Sequence, residues 1–143
     1  MRIRISKKLE YGKLVTPLPD RHVPVYRWFQ MKESFSGALV KMLLGLWGSP
    51  DKPLLDPFCG AGTTLLACKE MGVNGIGLET HPFLLFVSRA KTWNYDVLSL
   101  GTYLSKVLAS PTKHTSEGVP PLIKRVFPLS IQREILAMKE LIN

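Results

Sequence analysis

The sequence is poor in the residues that build disulfide frameworks and metal centres. It has two cysteines, Cys59 and Cys68, and three scattered histidines, His22, His81 and His114. Two cysteines do not make a disulfide framework. No His/Cys pair stands at ligand spacing, so no metal site is expected. No apolar run reaches the ~18 residues of a membrane span, and no membrane partner is expected. The opening residues, MRIRISKKLEYGK, lack the apolar stretch of a signal peptide, which makes a cytoplasmic location the expectation. Acidic residues are scarce too, 11 against 19 Lys and Arg, for a net charge of +8. That surplus suits a polyanionic partner, whose counterions are released on binding. The cations crowd the N-terminal part: Arg2, Arg4, Lys7, Lys8, Lys13, Arg21, Arg27 and Lys32. A solvated basic tail and a nucleic-acid surface both fit this pattern.

With 143 residues, 45% of them hydrophobic, the chain holds one domain at most and has material for a core. Its most informative stretch is residues 54–64, LLDPFCGAGTT. Two apolar residues run into Asp56, then Pro57 and Phe58. A tight turn on Gly60 and Gly62 follows, and Thr63 and Thr64 open a helix. A strand, a glycine turn and a helix N-terminus together present backbone N–H groups to a nucleotide-like ligand. Gly62 is expected to bring the backbone close to that ligand, where a side chain would intrude. A phosphate-binding P-loop is excluded because no Lys follows Gly62. A dinucleotide fingerprint is incomplete because Leu65 stands where a third glycine belongs.

Residues 74–79, NGIGLE, read as a second short, buried strand ending in an acid. Glu79 follows the glycine turn by about 20 residues, the spacing at which a second-strand carboxylate meets ribose hydroxyls. The alternative is an exposed acid at a strand end. Upstream, residues 1–30 carry Pro17, Pro19 and Pro24 and form a basic arm, extended, with one strand near Ile3–Ile5. Ser34 or Ser36 caps a helix whose apolar positions are Phe35, Ala38, Leu39, Met42, Leu43, Leu46 and Trp47, ended by Gly48 and Pro50. Strand one covers about residues 53–57, and the helix after the turn runs to about Met71. A helix from Phe83 to about Trp93 follows His81 and Pro82. Leu100, Tyr103, Leu104, Val107 and Leu108 mark another helix. Residues 110–121 form a loop, and Ser130 caps a last helix on Ile131, Ile135, Met138 and Ile142.

The wording Asp-Pro-Phe-Cys-Gly-Ala-Gly-Thr-Thr resembles the cofactor loop of S-adenosylmethionine-dependent methyltransferases, and among them the amino-methylating DNA enzymes of the adenine-N6 and cytosine-N4 type. The resemblance covers most of residues 23–142, but only residues 56–64 are highly specific. It implies an α/β chain with a partial Rossmann-like methyltransferase fold: the first two parallel strands with flanking helices, and an incomplete sheet. It implies S-adenosylmethionine as cofactor. It places Asp56, Phe58, Cys59, Gly60, Ala61, Gly62, Thr63 and Thr64 in the cofactor loop and Glu79 on the ribose. Residues 23–40 look like the element that sits over the methionine end of the cofactor, which makes Lys32, Ser34, Phe35 and Ser36 contact candidates. Helix capping and core packing explain the same residues equally well. His81 departs mildly from the family, where an Asx-Pro or similar pair often follows the acid.

By the same resemblance the chain divides into the arm (1–30), an S-adenosylmethionine-binding α/β region (31–110), and a loop and helix leading toward a catalytic half (111–143). Amino-methylating enzymes hold the target amine with an Asp/Asn/Ser-Pro-Pro-aromatic tetrapeptide. The only Pro-Pro here, Pro120–Pro121, is flanked by Val119 and Leu122, which can neither hold an amine nor stack a base. No Pro-Cys pair offers a nucleophile for carbon-5 chemistry. Catalytic residues are therefore not assigned. The expected partners are DNA, with RNA possible, and either a second copy or a second chain carrying the catalytic half. An RNA (tRNA-type) methyltransferase fragment and a non-catalytic cofactor- or nucleic-acid-binding remnant are the alternatives.

Overall fold

A computed structural model describes residues 9–49, 51–109, 121–126, 128–132 and 136. The chain forms two compact units, Met1–Trp93 and Asn94–Asn143. The first contains helix α1 (Gly37–Trp47), strand β1 (Leu54–Asp56), helix α2 (Thr63–Glu70), strand β2 (Gly75–Gly77) and helix α3 (Pro82–Thr92). The second contains α4 (Val97–Ala109) and α5 (Pro121–Val126). The chain is thus α/β, with a two-stranded sheet flanked by helices, a partial methyltransferase fold.

β1 and β2 are parallel, with Leu54, Leu55 and Asp56 opposite Gly75, Ile76 and Gly77. The pairing runs beyond the strands. Leu54 N–H donates to Asn74 O at 2.8 Å, Leu78 N–H to Asp56 O at 2.9 Å, and Cys59 N–H to Leu78 O at 3.0 Å. The strands are short because Gly72 (φ +68°) enters one and the glycine turn leaves the other. α2 lies on one face of the sheet. The glycines of β2 make this possible: a Cβ on Gly75 would stand 3.0 Å from Leu65 Cδ2, and one on Gly77 2.7 Å from Leu65 Cδ1. Among the described residues, the opposite face is left open. Leu55 and Ile76, register partners, are 58% and 50% exposed, so β2 is not the buried strand its sequence suggested.

The core lies between α1 and α2, where Val40 and Leu44 meet the fully buried Ala67 and Cys68, and Phe35, Leu54 and Val73 pack around them. Small residues at 67 and 68 let the elements approach closely. Ser36 is the N-cap of α1: its Oγ accepts from Leu39 N–H at 3.3 Å and donates to Leu14 O at 3.0 Å. The buried stripe of α1 is Gly37, Val40 and Leu44, none of which was among the apolar positions expected to face the core, and Leu46 and Trp47, which were, are exposed.

Residues 9–28 are not extended. They wind into short 3₁₀ turns at Leu9–Lys13, Leu18–Asp20 and Tyr26–Trp28. Buried polar groups tie them down. Asp20 Oδ2 accepts from Gly37 N–H at 2.7 Å, and Tyr26 Oη donates to Glu70 Oε2 at 2.8 Å. Burial pushes the Asp20 carboxyl above its ordinary range, and the Gly37 N–H draws it back down.

In the second unit, Asp96 accepts from Leu98 N–H at 3.3 Å and Ser99 N–H at 3.2 Å at the start of α4. α5 opens at Pro121, where a loop was expected, since Pro suits a first helical position. Ser130 is no cap. It is already helical, and Gln132 N–H closes on Pro128 O at 3.0 Å. The strand expected near Ile3–Ile5, the body of the 110–121 loop and most of the last helix lie outside the described residues.

Candidate functional site

Two carboxylates stand at the C-terminal ends of two neighbouring parallel strands, the edge where open α/β sheets bind ligands. Asp56 closes β1, and its Oδ1 accepts from Phe58 N–H at 3.1 Å. Glu79 follows β2, and its Oε1 accepts from His81 N–H at 2.7 Å. Each carboxylate thus fixes its own turn while a second oxygen remains.

The glycine turn joins β1 to α2. Gly60 and Gly62 both have positive φ, +50° and +80°, which only glycine adopts freely. Gly62 N–H donates to Cys59 O at 2.8 Å, and Gly62 O accepts from Leu66 N–H at 2.9 Å. The two glycines serve different neighbours. A Cβ on Gly60 would find only Met31 Sδ at 3.5 Å and Phe58 O at 4.0 Å, within the open hollow of the turn. A Cβ on Gly62 would stand 2.5 Å from Ser88 Oγ and 3.0 Å from Ser88 Cα. Gly62 therefore lets α3 pack on the turn, and Gly60 is the glycine facing open space. The sequence expectation gave Gly62 the ligand-facing role.

Two hollows flank Phe58, whose ring is 89% exposed. One, about 380 Å³, is lined by Pro57, Phe58, Leu78, Glu79 and Thr80. The other, about 110 Å³, is lined by Met31, Glu33, Ser34, Phe35, Phe58, Cys59, Gly60, Ala61 and Thr63. Of the residues singled out in the sequence, Phe58 and Glu79 line the larger hollow and Ser34, Phe35, Phe58, Cys59, Gly60, Ala61 and Thr63 the smaller. Asp56 and Thr64 instead line an apolar groove of about 410 Å³ beside β1, with Leu39, Leu43, Leu55 and Trp47. Ser36 is fully buried and occupied as the α1 cap, so capping prevails over cofactor contact. Lys32 is exposed and lines neither hollow. Met31 and Glu33 were missed. They belong to no motif, and only their neighbourhood to Ser34 pointed at them.

Cys59 is buried, and burial together with the nearby Asp56 charge raises its thiol pKa. That shift disfavours the thiolate, the reactive form of a cysteine. Among the described residues no group of His, Cys, Asp and Glu could hold a metal ion, and no helix is long and apolar enough to cross a membrane.

Residues 8–88, more than half of the chain, match the DNA methylase family of N6/N4 type. The chain belongs to that family. Curated proteins similar to it include type II methyltransferases. M.BsoBI of Geobacillus stearothermophilus is 33% identical over 105 residues, 71% of this chain and 21% of its own length. M.AvaI of Nostoc sp. is 41% identical over 82 residues, 57% of this chain and 17% of its own. M.MjaII of Methanocaldococcus jannaschii is 35% identical over 88 residues, 62% and 16%. The chain therefore spans a fifth or less of the length of two of these relatives and 21% of the third. No solved structure matches it significantly. The span that matches the family holds both carboxylates, the glycine turn and both hollows.

Proposed function

We propose that this chain is the S-adenosylmethionine-binding portion of a DNA amino-methyltransferase acting on adenine N6 or cytosine N4. The observation that carries the reading is the pair of hollows meeting at Phe58, one with a carboxylate and one walled by the glycine turn, at the C-terminal strand ends. The donor chemistry fits the cofactor. Glu79 keeps an oxygen for a ribose diol, and Phe58 and Leu78 offer apolar surface to a purine. Ser34 and the turn's backbone supply polar groups to the smaller hollow, on the side of the amino-acid end. When bound, the cofactor supplies an electrophilic methyl group on a sulfonium. The chain's own residues bind and orient it, and among the described residues none is placed to hold the accepting amine.

The acceptor-holding part comes from elsewhere, either from further sequence of the same protein or from a second chain. Two features support this. The sheet's bare face, Leu55 and Ile76, needs cover because parallel strands are buried on both faces. Leu55 also turns its N–H and C=O away from β2, since Leu54 and Asp56 make the bonds to that strand. Among the described residues β1 therefore has an edge open to a further strand, beside the apolar groove on α1. Exposed Lys13, Arg21, Arg27 and Lys32 are available to DNA phosphates.

Calorimetric titration with S-adenosylmethionine tests the reading. The wild-type chain should bind saturably. Glu79→Ala should weaken binding about tenfold or more, the loss of hydrogen bonds to a charged group being worth about 1.5–3 kcal/mol. Equal binding by both would remove Glu79 from the ribose site.

A further inference from the structure

Lys91 is the one lysine buried among the described residues, 4% exposed on α3, and the cofactor reading gives it no task. A buried ammonium is costly unless its protons are satisfied. Here it donates to Phe29 O at 2.7 Å and to Tyr26 O at 3.3 Å. Burial pushes the ammonium below its ordinary value, while the buried Asp20 opposes that shift. The backbone it grips is under strain. Val25, a β-branched residue, has φ +67° and ψ −52°, and Tyr26 N–H donates back to Pro24 O at 2.8 Å. That is a γ-turn, a conformation that persists only where the surroundings enforce it. A second tie joins the same segment to α3: the rings of Phe29 and Phe83 meet edge to face, 5.2 Å between centroids.

The chain leaves this anchored turn directly for Met31, Glu33, Ser34 and Phe35, the wall of the smaller hollow. The opposite wall, Gly60 to Thr63, is fixed to α3 independently through Gly62 against Ser88. α3 is thus the common reference for both walls. We propose that Lys91 is a positioning residue: its ammonium clamps the Tyr26–Phe29 turn to α3 and so sets the wall of residues 31–35 over the glycine turn. It touches neither hollow and acts through the backbone it holds. The inference rests on the S-adenosylmethionine reading of those hollows.

Hydrogen exchange and calorimetry on the whole chain test it together. In Lys91→Met, amides of residues 26–36 should exchange at least tenfold faster while α2 keeps its protection. Affinity for S-adenosylmethionine should fall at least tenfold. Lys91→Arg retains donors for the two carbonyls and should recover most of both losses. Phe83→Ala removes the exposed tie and spares the core. It leaves the ammonium in place and should disturb exchange and binding less than the loss of Lys91 does. If Lys91→Met unfolds, Lys91→Gln, which keeps a donor for only part of the clamp, takes its place, and unchanged exchange at residues 26–36 with unchanged binding there would overturn the proposal. Wild-type binding that Lys91→Met leaves intact would overturn the positioning role alone. No saturable binding by wild type would overturn the cofactor reading and this role with it.

Discussion

Substituting alanine at Gly62 separates packing from ligand contact in the glycine turn. The residue has φ +80°, where an L side chain costs about 1–2 kcal/mol. The new Cβ would also stand 2.5 Å from Ser88 Oγ and 3.0 Å from Ser88 Cα. The hydroxyl can rotate away, but the Cα belongs to the α3 backbone and can yield only if the helix shifts. Overpacking of this kind typically costs about 1–3 kcal/mol. The sum, about 2–5 kcal/mol, is a large part of the 5–15 kcal/mol that holds a typical domain. Gly62→Ala should therefore lower the melting temperature by about 10 °C or more. Ser88→Ala removes the hydroxyl contact, so the two substitutions should couple by about 1 kcal/mol in urea titrations of the four combinations. Gly62→Ala protein that remains folded should lose affinity for S-adenosylmethionine only as far as α3 moves against the turn, and Ser88→Ala should restore affinity together with stability. Gly60→Val, whose side chain enters the hollow near Met31, should lose affinity while costing less stability. A Gly62→Ala protein as stable as wild type but unable to bind would refute the assignment of Gly62 to helix packing.

Three further outcomes are expected. Burial, then the bond to Glu70, raises the Tyr26 phenol above its ordinary pKa of ~10, so its contribution to stability is complete below that pH and is lost as pH rises past it; Tyr26→Phe should lose about 1 kcal/mol near neutrality and much less above pH 11, and equal losses at both pH values would count against a neutral, buried phenol. The purified chain alone should transfer no labelled methyl to DNA or RNA, because its one Pro-Pro lacks an acceptor and an aromatic; robust transfer would place an unrecognised acceptor site in these residues. With Leu55 and Ile76 bare, the chain should self-associate at micromolar concentration, and Leu55→Ser with Ile76→Ser should reduce that by light scattering; a stable wild-type monomer would show that the face needs no cover.

The sequence was most legible where one residue type has one physical reason to be present. Gly60 and Gly62 marked a turn because positive φ admits little else, and both have it. The strand–turn–helix around them followed, as did the placement of Glu79 at the end of the next strand. Helix ends with side-chain or glycine signals were legible too: Ser36 and Gly48 bound α1 as the capping pattern implied. Ser130 failed because proline, which needs no N–H there, had already started the turn at Pro128. The arm failed for a different reason. Its prolines suggested an extended chain, but Asp20, Tyr26 and Lys91 bind it by contacts 17, 44 and 62 to 65 residues apart in sequence. Nothing local announces such pairings.

The two glycines of β2 show the same limit at finer scale. Gly-Ile-Gly read as a buried parallel strand, yet the glycines are there for Leu65 of α2 and leave Ile76 pointing into the open. A strand with glycine on its covered face brings little apolar area of its own to the sheet. The helix above supplies that area on one side, and the other side depends on whatever covers Leu55 and Ile76. The glycine turn, by contrast, is braced by residues of the first unit: α2 behind it, Ser88 beside it and the Lys91-held segment in front. On the proposed reading, binding of S-adenosylmethionine and completion of the sheet are therefore separable demands. A covering segment added in trans should raise the melting temperature strongly and change cofactor affinity little, because the surfaces it buries are not the walls of either hollow.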